Sequence, residues 1–267
     1  MQKNNNYDDQ YALITGTNDN VGSSGDLKDF FILIGWVILI VVVFLASFQS
    51  IANYMIDRMS IENLQKIESL FNSKIPPPVE DKYKKRIDNL YEIQRKIIQL
   101  DPKIQYRDRL PIGVAENKKI NAWIYPNGSI YITQGLLDEN MNEQEMAFVL
   151  AHEMGHYSNR DNLKAISKQL AIISLGLMTG RNKQTAVVVK NVANIESIKY
   201  SKTQEKDADL YAGKMLYKLY GTNQGGIDAM KRIKEKENYP EFLQYISDHP
   251  RTSSRIYLLE QQQKSMQ

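Results

Sequence analysis

Residues Phe148–Asn159 read FVLAHEMGHYSN. The stretch holds two of the chain's three histidines, His152 and His156, with Glu153 directly after the first. Residues four apart share one helix face, their Cβ atoms about 5–6 Å apart, so two imidazoles can grip one cation if a helix forms. The flanking residues supply that helix. Asn142 followed three residues later by Glu145 is a capping-box pattern. Met141 before the cap and Met146 in the first turn can close a hydrophobic staple. Phe148, Val149 and Ala151 can pack inward. Gly155 costs roughly 1 kcal/mol against Ala in a helix. Its missing side chain admits either close packing or a nearby substrate, and the spacing does not choose between them.

Glu153 sits one residue beyond His152. Its carboxylate can therefore reach the open side of a bound metal without becoming a ligand, and there it can take a proton from an attacking water. This is the H-E-x-x-H arrangement of two zinc ligands and a general base. Imidazole and carboxylate donors suit zinc, and no redox ligand set is visible. The bland alternative is a surface helix with two solvated histidines. The cap, the apolar neighbours and the concentration of the chain's histidine weigh against it.

A catalytic zinc takes a third protein ligand and keeps one position open. The chain has no cysteine, which excludes disulfides, thiolate sites and cysteine nucleophiles, so a carboxylate is the natural candidate. Lys202–Leu216, KTQEKDADLYAGKML, reads as a helix. Glu205 and Asp209 lie four apart on one face, beside Ala208 and Ala212, which permit close packing. Glu205 can bind zinc while Asp209 accepts the free N–H of a ligand histidine. Glu196 and Asp207 are rivals that spacing does not dismiss, and a solvated charged helix is the plain alternative. His249, read alone, is a turn histidine before Pro250.

The rest of the chain frames this centre. The 34 basic and 31 acidic residues nearly balance, and nothing suggests nucleic acid as a partner. Residues 1–29 are polar and rich in Asn, Asp and Gly, as in a disordered tail. Phe30–Phe48 is a charge-free run long enough to cross a bilayer as a helix. A cleaved signal peptide fits poorly, because the preceding region is long and acidic and no A-x-A-like site follows. Residues 49–79 read as a juxtamembrane helix, with Ile56, Met59, Leu64, Ile67 and Leu70 on one face, then a stiff spacer at Pro76–Pro78. From residue 80 a second amphipathic helix, carrying Tyr83, Ile87, Leu90, Ile97 and Leu100, opens the main domain. Residues 119–135 alternate as a β-hairpin, with Asn127-Gly128 as a two-residue turn needing positive φ at both positions. Beyond Met141 the chain reads as almost wholly helical. The fold class is α+β, mostly helical, with a small β-hairpin sheet.

At this point the residues resemble a family, the HtpX, BepA and prenyl-protein (CAAX) proteases, membrane-associated zinc metallopeptidases of the gluzincin type. The likeness runs over about Leu110–Leu259. It rests on NAWIYPNGSIYITQGLL, VLAHEMGH, QEKDAD and DHPRTSSRI, in that order. It implies that Glu205 is the third zinc ligand, that Asp209 supports a ligand histidine, and that His249 and Arg255 work beside the zinc. In the family the histidine is thought to stabilise the oxyanion. Asn121 and Ala122 match the edge strand that binds substrate backbone as an added strand. The better-known members carry several membrane helices, whereas one clear span is visible here. The apolar run Gln169–Gly180 is short for a crossing and reads as a buried helix or a membrane-contacting hairpin.

The leading expectation is a single-pass, membrane-anchored endopeptidase using one Zn2+ per chain, with unfolded or damaged protein segments as substrates. A processing protease with one substrate, or a chaperone with a structural zinc, are the alternatives. Glu153 argues against the last, since a structural site needs no base. Arg58 and Lys66 after the span lean towards a cytoplasmic domain.

Overall fold

The computed structural model describes residues 26–167, 199–236, 238–240, 249 and 252–266. The chain divides into two units, Met1–Phe48 and Gln49–Gln267. In the first, the described residues form the start of helix α1, Asp26–Asp57. Its apolar side chains from Phe30 to Phe44 are exposed all round. Leu27–Asp57 is, by length and composition, a helix able to cross a membrane. It begins at Asp26, inside the stretch expected to be a polar tail; residues 1–25 lie outside the described residues.

In the second unit, α1 ends at Asp57 and Ser60 restarts the chain as α2, Ile61–Ser69, its side chain accepting the Asn63 N–H. Ile56 and Leu64 bury themselves with Leu163, and Met59, Ile67 and Tyr106 pack around them. Leu70 departs from the expected apolar face and is 77% exposed, since α2 stops one residue before it. The proline stretch is not a free spacer. Pro76 lies so close to Gly113 that a Cβ there would meet the proline Cβ at 2.1 Å. Helix α3, Asp81–Leu100, buries the expected stripe of Tyr83, Ile87, Leu90 and Ile97. It stops before Pro102, whose ring cannot continue it.

The sheet has three strands in the order β1-β3-β2. Strand β1, Ile112–Ala115, has no counterpart in the sequence reading; it runs parallel to β3, Ile130–Thr133. Strand β2, Ala122–Ile124, pairs antiparallel with β3 in the register Ala122↔Ile132 and Ile124↔Ile130. The hairpin turn is not the two-residue type. Gly128 has φ +81, while Asn127 stays at negative φ. Gly128 N donates to Tyr125 O at 2.9 Å, and Tyr125 N to Ser129 O at 2.8 Å. That is a three-residue loop, Pro126 to Gly128. Proline presets the first corner and glycine supplies the left-handed residue. Asn127 takes the turn's second corner, and its Nδ2 donates to Phe71 O at 2.8 Å.

A short helix α4, Gln134–Asp138, leads to α5, Glu143–Ser158. Residues 161–167 are helical (α6). They are followed, after the segment outside the described residues, by α7, Lys202–Tyr220, α8, Gln224–Glu235, and α9, Thr252–Met266. The largest apolar core joins α3, the sheet, α5, α7 and α8. Helix α5 runs through its centre and is buried on nearly every side from Glu145 to Ser158.

Candidate metal centre

The capping box that starts α5 is complete. Asn142 Oδ1 accepts from Glu145 N at 2.9 Å, and Glu145 Oε2 accepts from Asn142 N at 2.7 Å. Arg232 on α8 holds the same carboxylate through two donors at 3.0 and 3.2 Å. The start of the helix that carries His152 and His156 is thus tied to the core. Three turns on, Gly155 answers the question its sequence left open. A Cβ there would meet Tyr211 at 3.1 Å and the Ala208 backbone at 3.2 Å, so the glycine admits α7.

That approach brings α7's carboxylates onto α5's histidines. His152 Nδ1 lies 3.0 Å from Asp209 Oδ1, and His156 Nδ1 lies 2.9 Å from Asp161 Oδ2. A carboxylate is an acceptor only, so each Nδ1 carries the proton and each Nε2 presents its lone pair. The two Nε2 atoms face one another at 3.2 Å. Two inward lone pairs that close call for a cation between them. Glu205 faces the same point, 3.6 Å from His152 Nε2 and 3.5 Å from His156 Nε2. His249 joins them, its Nδ1 3.0 Å from each Glu205 oxygen. The ligand atoms of His152, His156, Glu205 and His249 all lie within 4.8 Å of one another, and all four residues are buried. This nitrogen and oxygen set, without sulfur, fits zinc.

Glu153 is 1% exposed and points beside this group. Both of its carboxylate oxygens are buried with no hydrogen-bond partner among the described residues. His249 Nε2 lies 3.8 Å from its Oε1. Arg255 is buried and turned onto Asp209. Its Nε and Nη2 grip Asp209 at 2.7 Å each, its Nη1 donates to His249 O at 3.2 Å and lies 3.6 Å from Glu205. Asn121 and Ala122 are buried at the start of β2. Asn121 O accepts from Thr133 N at 3.0 Å. The alternation of an antiparallel ladder then turns the Ala122 N–H and C=O away from β3, toward the sheet edge.

Charge follows burial and partners. Burial pushes the Glu153 carboxyl up to about 7. Burial, reinforced by the Arg255 charge, lowers His152 to about 4 against the Asp209 hydrogen bond. Burial also works against His156 as a cation, but without a metal Asp161 and Glu205 raise it to about 9, so its Nε2 presents the lone pair only once a metal ion has displaced that proton. Burial opposes ionisation of Glu205 and Asp209 too. His249 and His156 nevertheless hold the first far below the usual range, and Arg255 holds the second below it.

Of the rival carboxylates, Asp207 is exposed on the far face of α7, and Glu196 lies outside the described residues, as do Pro250 and Gln169–Gly180. Two residues of the site were not found in the sequence. Asp161 was missed because a straight helix would carry it off His156's face. Tyr200, whose ring stacks on His156 with centroids 3.7 Å apart, carries no spacing signal.

A family model for peptidase family M48 matches residues 89–263. The chain belongs to peptidase family M48. It is 27% identical over 208 residues to a protease HtpX homolog of Fusobacterium nucleatum, covering 62% of this chain and 67% of that one. It is 27% identical over 123 residues to the metalloprotease YcaL of Escherichia coli, covering 43% and 47% of the two chains. Against the mitochondrial metalloendopeptidase OMA1 of Arabidopsis thaliana it is 28% identical over 142 residues, 53% of this chain and 29% of that one. The chain thus spans about two thirds of the first relative's length and less than half of the other two. The resemblance drawn from the four motifs is borne out, and this M48 member is a zinc metalloendopeptidase.

Proposed function

We propose that this M48 peptidase is anchored in the membrane through residues 30–48, faces the cytoplasm, and cuts unfolded or damaged protein segments. The observation that carries the reading is Glu153, a buried carboxylate without a hydrogen-bond partner among the described residues, beside a convergent His-His-Glu group. A structural zinc has no use for such a base.

His152, His156 and Glu205 would hold the zinc, which would supply Lewis-acid chemistry at the site. Asp209 and Asp161 orient the two imidazoles. Arg255 orients Asp209, and is a positioning residue rather than a substrate contact. The substrate lies along β2, its backbone pairing with Ala122, while Asn121 fixes the start of the strand. Pairing through backbone leaves side-chain choice loose, which supports the unfolded-segment reading over a single processing site. Glu153 takes the proton of the attacking water and delivers it to the leaving amine. His249 donates an N–H to the developing oxyanion.

The test uses the full chain in detergent, presented with an unfolded polypeptide, its folded counterpart and a peptide library. Expected are many cuts in the unfolded chain, none after chelation and recovery on adding zinc. Cleavage of one library sequence alone would replace this reading with a specific processing protease. Glu205→Ala should empty the site of zinc, whereas Asp207→Ala should leave it full.

A further inference from the structure

The exit of the zinc helix holds contacts that neither the ligands nor the base requires. Helix α5 ends at Ser158, and Arg160 follows with φ +58, the one non-glycine residue at positive φ among the described residues. A long side chain is disfavoured in that region and persists only where its surroundings over-determine it. The turn has a local consequence. On a continuous helix, residue 161 would sit about 140° around the axis from His156. The left-handed residue instead reverses the chain, and Asp161, 2% exposed, comes back onto His156 Nδ1 at 2.9 Å.

What holds Arg160 is the juxtamembrane segment. Its Nη1 donates to Ile56 O, in the last turn of α1, and, at 3.2 Å, to Met59 O, two residues beyond it. Carbonyls at a helix C-terminus keep a free lone pair and accept readily from arginine; Ile56 O also takes the Met59 N–H, at 3.3 Å. The same segment makes contacts on both sides. Before the turn, Tyr157 Oη donates to Glu68 at 2.5 Å, and Tyr106 Oη reaches the same oxygen at 2.7 Å. After it, Lys164 Nζ lies 2.7 Å from Asp57. Residues 56–68 therefore bracket the stretch from His156 to Asp161.

We infer that Arg160 is a positioning residue for the metal site: pinned by the Ile56 and Met59 carbonyls, it holds the left-handed turn that seats Asp161 on His156. The stalk that follows the membrane helix is by this account a support of the zinc ligand as well as a tether. The inference rests on His156 being a zinc ligand. Asp161 fixes the tautomer that presents Nε2, and loss of such an outer partner costs about 10–100-fold in metal affinity.

The experiment measures zinc affinity of the full chain in detergent by competition with a chromophoric chelator, and records the absorption spectrum of the Co2+ form. Asp161→Ala should bind zinc about 10–100-fold more weakly. Asp161→Asn, which keeps an acceptor, should recover part of the loss. Arg160→Met keeps the strained backbone without the donors, and Arg160→Gly keeps the turn without either. Both should weaken zinc by roughly three- to tenfold, less than loss of Asp161 itself, and shift the Co2+ spectrum. Arg160→Lys, with one charged donor restored, should fall between them and the parent. Parental affinity and spectrum in whichever of the Met and Gly variants folds would overturn the inference, even if that variant melted earlier. His156→Ala is the control. If it kept its zinc, the ligand assignment would fail. If it lost zinc while Asp161→Ala did not, only the inference would fail.

Discussion

At the scale of the residue, the proposed roles separate groups that bind from one that reacts. His152, His156 and Glu205 each have a buried polar partner, whereas the Glu153 oxygens have no hydrogen-bond partner among the described residues. A carboxylate held that way is poorly solvated and holds a proton well, as a base that must pass one on requires. Glu153→Gln keeps the shape but cannot accept the proton. It should retain a full complement of zinc and lose turnover by about a thousandfold, within the range for losing a general base. Metal analysis and a peptide-cleavage rate check the two halves separately; turnover within a few-fold of the parent would sink the mechanism. His249→Ala removes one oxyanion donor and should cost about tenfold to a thousandfold in turnover. Its zinc content should stay near one per chain, a measurement that also distinguishes an oxyanion donor from a fourth ligand.

At the scale of the element, α5 is held at both ends and packed closely in the middle. The Asn142 cap satisfies an orphan N–H, and Asn142→Ala should lower stability by about 1 kcal/mol. That change acts at the far end of the helix from the histidines, so thermal melting should move while zinc affinity does not. Gly155→Val forces a branched side chain against Tyr211 and the Ala208 backbone. It should cost about 1–3 kcal/mol. Since it pushes α7 and its Glu205 away from α5, zinc affinity should fall with it. A Gly155→Val chain that melted and bound zinc like the parent would show that the two helices can separate without harm to the site. The hairpin shows how local chemistry can mislead. Asn-Gly is a strong two-residue turn signal, but Pro126 one position earlier and the Phe71 carbonyl select the three-residue loop.

At the scale of the molecule, the division between the two units falls within α1, at Phe48, not at the prolines. A chain shortened to begin at Gln49 should leave the membrane and keep the fold of the peptidase unit. One begun at Val79 should fare worse. It loses Ile56 and Leu64 from their cluster with Leu163, and Glu68 from Tyr157. Burying an aliphatic side chain contributes about 1.5–3 kcal/mol, and each kcal/mol moves the melting of a domain this size by about 2–4 °C. With two such side chains lost, the Val79 chain should melt roughly 6–24 °C below the Gln49 chain. Equal melting temperatures would show that the stalk contributes nothing to the peptidase unit. The full chain should stay with membranes through carbonate extraction.

Much of this protein was determined by its sequence alone, because the signals are short in range. His152, Glu153 and His156 sit within a turn and a half of one helix, so i, i+4 geometry places them whatever surrounds them. The apolar run at residues 30–48 needs only length and lack of charge, and α3 only its period. Glu205 and Asp209 were legible as a pair. Their choice over Glu196 and Asp207 came first from a family likeness, and the tertiary structure then set Glu205 and Asp209 against the histidines, because the glycine at 155 admits α7 on one face only. The rest depended on contacts between residues far apart in the chain. Strand β1 has four residues and no alternation to announce it; it exists because β3 offers an edge. Arg255 is fixed by Asp209, forty-six positions away. Asp161 reaches His156 only through a left-handed arginine, a conformation that local propensity opposes and that the Ile56 and Met59 carbonyls, a hundred residues earlier, hold in place.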